Sequence, residues 1–131
     1  MEEQIRFYEH KLAFEIDSWD LDELRRGGAR VVVIDARSAA AWAREHIAGA
    51  VSLPHRSIDA AGTAALDREA LYVTYCDGIG CNASTKGALA LARLGFRVKE
   101  LQGGLDWWKR DGYRTEAEAV GDPGNGACGC G

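Results

Sequence analysis

The sequence contains no hydrophobic stretch long enough to cross a membrane. Its apolar runs, such as Val31 to Ile34, fall far short of the ~20 residues that a spanning helix requires. It lacks a basic excess too. Sixteen Lys and Arg against twenty Asp and Glu leave a formal charge of −4, so the electrostatic footprint for nucleic acid is missing. The first residues, Met1-Glu2-Glu3-Gln4, have none of the basic and then apolar character of a secretory leader, and a cytoplasmic location is expected. In that compartment the four cysteines read as reduced, reactive or metal-bound rather than as a structural disulfide framework. No internal repeat is visible. With 47% apolar and 27% charged residues, the chain does not have the composition of a disordered or fibrous protein.

What is present is enough chain for one domain. At 131 residues, folding typically buries roughly two-thirds of the surface that the unfolded chain exposes, so the core needs no metal or disulfide staple. Ile5, Tyr8 and Leu12 recur at helical spacing, which predicts an N-terminal helix over residues 1–13 packing on a domain over 14–120. Phe14 and Ile16 suggest a short strand. Asp17 or Ser18 caps a helix that carries Leu21 and Leu24 and stops at Gly27-Gly28. The unbroken run Val31-Val32-Val33-Ile34 has the look of a strand buried on both faces. Ser38 opens a short helix to about Arg44, Val51 to Leu53 forms a short strand, and His55 to Ala70 reads as a turn followed by loop. Leu71 to Tyr75 is a strand by composition. A long helix from Ala83 to Leu94 precedes Gly95, a strand runs from Phe96 to Leu101, and a last helix from Leu105 to Asp111 ends at Gly112. Strands alternating with helices imply an α/β fold in three layers: a mainly parallel central sheet with helices on both faces. Residues 121–131, with five Gly and one Pro, read as a flexible tail carrying Cys128 and Cys130.

Ligands of such sheets bind where the loops leave the carboxyl ends of the strands. Cys76 is the first residue after a predicted strand, and Asp77, Gly78, Ile79, Gly80, Cys81 and Asn82 lead into the long helix. This arrangement gathers backbone N–H groups and the positive end of a helix dipole around one point. A thiol placed there loses its proton more readily than free cysteine, and the thiolate is the nucleophile. A buried structural cysteine is the competing reading.

Four segments, in order, resemble the single-domain rhodaneses, a sulfurtransferase family. Val-Val-Val-Ile-Asp-Ala-Arg (31–37) is similar to the family's strand ending in Asp-x-Arg, and Glu-His-Ile-Ala-Gly-Ala-Val-Ser-Leu-Pro (45–54) to its His-Ile-x-Gly-Ala segment. Tyr75-Cys76 resembles the strand end with the active cysteine, and Leu-Gln-Gly-Gly-Leu-Asp-Trp-Trp (101–108) the closing Gly-Gly-x-x-x-Trp. The resemblance implies a rhodanese-like fold and sulfur transfer through a Cys76 persulfide held by the loop from Asp77 to Asn82. It implies no metal and no organic cofactor. The partners would be a small-molecule or protein persulfide donor and a thiol or cyanide acceptor, without nucleic acid or membrane. The alternative from another class is a non-catalytic rhodanese-like module that binds a partner protein or carries a persulfide.

Two departures bear on the donor. Many family members hold thiosulfate with a loop cation, whereas Cys76 to Thr85 contains no Arg or Lys and Asp77 adds negative charge beside the nucleophile. The loop is also about two residues longer than the common one. Both point away from thiosulfate and toward a persulfide donor. Cysteine phosphatases need Cys-x5-Arg to clamp phosphate; here the sixth residue after Cys76 is Asn82, which argues against that chemistry.

Cys81 either resolves the persulfide by forming a disulfide or is a small loop residue. Cys128 and Cys130 are open to sulfur relay, redox partnership or no role in turnover; the spacings Cys-x4-Cys and Cys-x-Cys fit no familiar zinc finger. His46 is expected to bond the backbone, and His10 and His55 to lie outside any site. Asp35 and Arg37 are expected to position loops at the strand ends. Of Trp107 and Trp108, one belongs to the core and the other to a cleft or partner surface.

Overall fold

A computed structural model describes residues 1–118 of the chain. It has five helices, α1 (Glu2–Phe14), α2 (Ser18–Arg26), α3 (Ala39–Arg44), α4 (Ala83–Arg93) and α5 (Gly104–Arg110), and one 3-10 turn, His55–Ser57. The strands are β1 (Glu15–Ile16), β2 (Val31–Asp35), β3 (His46–Ile47), β4 (Val51–Ser52), β5 (Leu71–Tyr75), β6 (Arg97–Leu101) and β7 (Thr115–Glu116). Five strands form one parallel sheet in the order β1-β6-β5-β2-β4. The α/β layering expected from the alternation is present.

Local chemistry accounts for most element ends. The Asp17 carboxylate accepts from Asp20 N at 2.8 Å and caps α2; the Ser38 hydroxyl accepts from Ala41 N at 3.2 Å and caps α3. Each satisfies one of the donors that a helix start leaves unpaired. Gly95 ends α4 with φ +88°, a conformation that costs glycine little.

Side chains alternate across the parallel strands, so the sheet carries a core on each face. Val33, Val73 and Tyr75 pack with Leu21 of α2 and Leu105 and Trp108 of α5. Ile34 and Tyr72 face the other way, onto Leu91 of α4 and Ile58 and Phe96. The start of β2 departs from the expectation of burial on both faces: Val31 and Val32 are only half-buried.

Helix α1 forms where the spacing predicts, but none of its residues is buried, and Ile5, Tyr8 and Leu12 are exposed. Its last turn is tied to the sheet by Lys11, which pairs with Glu15 at 2.9 Å.

The antiparallel pair β3–β7 was not anticipated. It joins His46 to Glu116 and Ile47 to Thr115, and two-residue strands carry no periodicity to read. The pair folds the segment after α5 back beside α3, where Glu118 N donates to Ala43 O at 2.8 Å.

Because the five strands of the sheet run the same way, their carboxyl ends share one edge. Strand β5 is central, paired with the later β6 on one side and the earlier β2 on the other. That change of direction in strand order opens a crevice at the end of β5, and Cys76 stands there.

Candidate active site

Cys76 leaves β5 almost fully buried, at 1% exposure. The chain then turns through Gly78 and Gly80 and enters α4 at Ala83. Cys81 N donates to Gly78 O at 3.3 Å, closing the turn, and Gly80 has φ +93°, a left-handed conformation that favours glycine. The turn returns Cys81 to Cys76: their Cα atoms lie 6.2 Å apart and the two sulfurs are joined as a disulfide. Ala36 and Ala83 pack around the pair.

The start of α5 holds the other side of the loop. Leu105 N donates to Cys76 O at 2.9 Å and Asp106 N to Asp77 O at 2.8 Å. Such closeness excludes a side chain. A Cβ on Gly104, where φ is +57°, would lie 2.5 Å from the Cys76 carbonyl oxygen and 2.8 Å from Gly78 N. Gly104 is therefore a steric requirement of the loop, whereas a Cβ on Gly103 would meet the Trp107 side chain.

Beneath the loop, Asp35 at the end of β2 and Arg37 form a buried ion pair. Arg37 Nε donates to Asp35 Oδ1 at 2.9 Å and Nη2 to Oδ2 at 2.7 Å; Nη2 also donates to Glu45 O at 2.6 Å. Burial opposes the guanidinium charge, but the Asp35 hydrogen bonds and charge outweigh it and raise the Arg37 pKa above the ordinary value. Tyr75 donates its hydroxyl to Asp35 Oδ2 at 2.6 Å and accepts from Ile47 N at 3.1 Å. Burial, then the neighbouring Asp35 charge, pushes the phenol up, so it stays protonated. The loop-positioning role expected of Asp35 and Arg37 matches this geometry.

The same arginine changes the expectation for Asp77. Arg37 Nη1 donates to Asp77 Oδ1 at 2.9 Å, so the charge of Asp77 is compensated rather than bare beside the nucleophile. Asp77 and Asn82 stand outside the Cys76 cavity and border an open recess of about 620 Å³ together with Gly78, Ile79, Gly80 and Cys81. The reason is topological: β2 and β5 are adjacent, and Arg37 reaches from the end of one to the loop of the other.

That cavity, about 160 Å³, is lined by Cys76, Cys81, Gly78, Ile79 and Gly80 from the loop, with Ser84, Glu100, Gln102 and Glu15 among the opposing residues. Its lining contains no Lys or Arg, as the loop sequence suggested. It does contain two carboxylates that sequence reasoning missed. Register puts Glu15 of β1 opposite Glu100 of β6, which is opposite Thr74 of β5. Hydrogen bonds from Gln102 and Lys11 hold Glu15 below the usual carboxylate range. Glu100 accepts from the Ser84 and Thr85 hydroxyls at 2.7 and 2.6 Å, tying the first turn of α4 to β6.

A second recess, about 320 Å³, is lined by Ile79, Gln102, Trp107 and Ser18 among others. Trp107 is half-exposed there, whereas Trp108 is buried in the core. His46 Nδ1 lies 2.6 Å from Trp42 O and its ring stacks on that indole; His10 is exposed on α1. The ligand atoms of Cys76, Asp77 and Cys81 lie within 4.8 Å of one another, but the carboxylate of this set is engaged by Arg37. Cys128 and Cys130 lie outside the described residues.

Comparison with known proteins agrees with this geometry. Residues 20–111 match the Rhodanese-like domain family. The crystal structure of the BH2092 protein from Bacillus halodurans is 39% identical, with a TM-score of 0.83, covering 88% of this chain and 85% of that one. A full-length protein from Lactobacillus plantarum is 27% identical, with a TM-score of 0.75, covering 88% and 98%. The thiosulfate sulfurtransferase from Pseudomonas aeruginosa is 26% identical, with a TM-score of 0.61, over 81% of this chain but 20% of that larger one. No curated protein matches the sequence.

Proposed function

The chain belongs to the rhodanese-like domain family, and from that premise we propose that it is a sulfurtransferase working through a persulfide on Cys76. The observation that carries the reading is the position of Cys76 at the end of the central strand, in a cavity bounded by a loop that runs into the N-terminus of α4. In its reduced form, the Cys76 thiolate attacks the outer sulfur of a donor persulfide. The donor S–S bond breaks, a thiolate leaves, and Cys76 keeps the sulfur. Loop amides and the helix field favour the resulting anion. An acceptor thiolate or cyanide then removes the outer sulfur and restores Cys76. Nothing in this cycle calls on a metal or an organic cofactor.

The walls argue for a particular donor. Thiosulfate is a dianion, and the cavity lining offers it Glu100, and Glu15 already paired with Lys11, but no Lys or Arg of its own. A low-molecular-weight or protein persulfide, which carries less charge, suits it better. No helix among the described residues is long and apolar enough to cross a membrane; a cytoplasmic location, which would keep the cysteines reducible, belongs to the same proposal.

The test is mass spectrometry of the reduced protein mixed separately with thiosulfate and with glutathione persulfide. Gain of one sulfur atom on Cys76 from glutathione persulfide supports the enzyme. No gain from either donor, with no sulfide released, supports the partner-binding module.

A further inference from the structure

The pairing of Cys76 with Cys81 points to an activity beyond transfer to an outside acceptor. Three observations bear on it. The Cα separation of 6.2 Å lies within the range that disulfides span without backbone movement. Both cysteines line the same small cavity. Cys81 is fixed within the loop, by its own N–H bond to Gly78 O and by packing beside Ala36 and Ala83, so its sulfur is held at Cys76 instead of reaching it by chance.

We propose that Cys81 discharges the Cys76 persulfide internally and releases its sulfur as sulfide; this rests on the sulfurtransferase reading above. The Cys81 thiolate attacks the inner sulfur of Cys76. A bond forms between the two cysteine sulfurs, the bond to the outer sulfur breaks, and hydrosulfide leaves with the electron pair. Two thiols are oxidised to a disulfide and the sulfane sulfur is reduced to sulfide. A dithiol reductant then reduces the Cys76–Cys81 disulfide and closes the cycle. The net reaction converts one sulfane sulfur and one dithiol into sulfide and an external disulfide. The pairing of Cys76 with Cys81 in the structure is the one that this step forms. The cavity suits its leaving group: at about 160 Å³ it has room for a species the size of hydrosulfide.

The experiment is a single turnover on the full chain. Reduced protein is mixed with equimolar glutathione persulfide, desalted and kept without reductant. Wild type is expected to release about one sulfide per chain and to yield a Cys76–Cys81 linked peptide. In Cys81→Ser and Cys81→Ala, Cys76 should retain one extra sulfur. Its lifetime should rise by about 100-fold, the ratio of a ~1 mM tethered thiol to residual small thiols at ~10 μM. If neither variant takes up sulfur on Cys76, the sulfurtransferase reading fails and this one with it. If the variants take up sulfur but wild type keeps its persulfide equally long, internal release is wrong and sulfur transfer stands. Internal release is equally overturned if Cys76 becomes linked to Cys128 or Cys130, or if the sulfur is found on Cys81 without release of sulfide.

Discussion

Replacing Arg37 with methionine tests whether the buried ion pair under the loop holds the site together. The side chains of Asp35 and Arg37 are 0% and 5% exposed. Methionine fills similar volume without charge, leaving Asp35 with the Tyr75 hydroxyl and the backbone N–H of residue 37 as its remaining donors. Breaking a pair so deeply buried costs about 3–5 kcal/mol, because the partner's charge is left uncompensated. The contact of Arg37 with Asp77, whose side chain is 37% exposed, adds little after solvent screening. Domains of this size have roughly 5–15 kcal/mol of stability in total, so the variant should fold. With a urea slope of about 2 kcal/mol per M, its unfolding midpoint should fall by about 2 M, measured under reducing conditions by circular dichroism. The companion Asp35→Asn/Arg37→Met removes both charges and should recover a substantial part of the loss. A single-variant cost under about 1 kcal/mol, or full additivity in the double variant, would refute the idea that the pair acts as a unit.

Four other outcomes follow from the same geometry. Cys76→Ser should abolish sulfur transfer to cyanide while leaving the circular dichroism spectrum unchanged; measurable turnover in that variant excludes Cys76 as the nucleophile. Glu100→Gln keeps an acceptor for Ser84 and Thr85 but removes a charge from the cavity, so the KM for thiosulfate should fall about two- to fivefold; steady-state kinetics showing no change would mean that Glu100 does not act on the donor. Gly104→Ala should cost more than about 2 kcal/mol, through its positive φ and its clash with the Cys76 carbonyl, whereas Gly112→Ala, with open space around it, should cost only about 1–2 kcal/mol of conformational strain. Finally, Tyr75 has a raised pKa in the folded chain, so its contribution is complete below the unfolded value of about 10 and is lost as pH rises above it. Urea midpoints near pH 9 and 11 should therefore converge in Tyr75→Phe more than in wild type, and equal slopes would show that the phenol is not protected.

How far each residue could be read in the sequence depends on how local its determinant is. The cap at Asp17, the cap at Ser38 and the end of α4 at Gly95 are set by a few neighbouring residues. Patterns of apolar residues located β2, β5 and α4 for the same reason. Strands of two residues, β3 and β7, have no pattern, and their pairing across about seventy positions was invisible. Helix α1 shows the converse: its spacing identified a helix, but periodicity alone does not supply a surface to bury Ile5, Tyr8 and Leu12 against.

The sequence alone determined the layered α/β class, the placement of Cys76 between a strand and a helix, and the want of a cation in its loop. Each follows from side-chain chemistry and short-range sterics. Only the tertiary structure decided what surrounds that sulfur. The parallel register sets Glu15 beside Glu100, and the adjacency of β2 and β5 lets Arg37 neutralise Asp77. The course of one tight loop returns Cys81 to Cys76. These contacts come from strand order and register, which arise from packing the whole sheet between its two layers of helices and are written in no single segment of the chain.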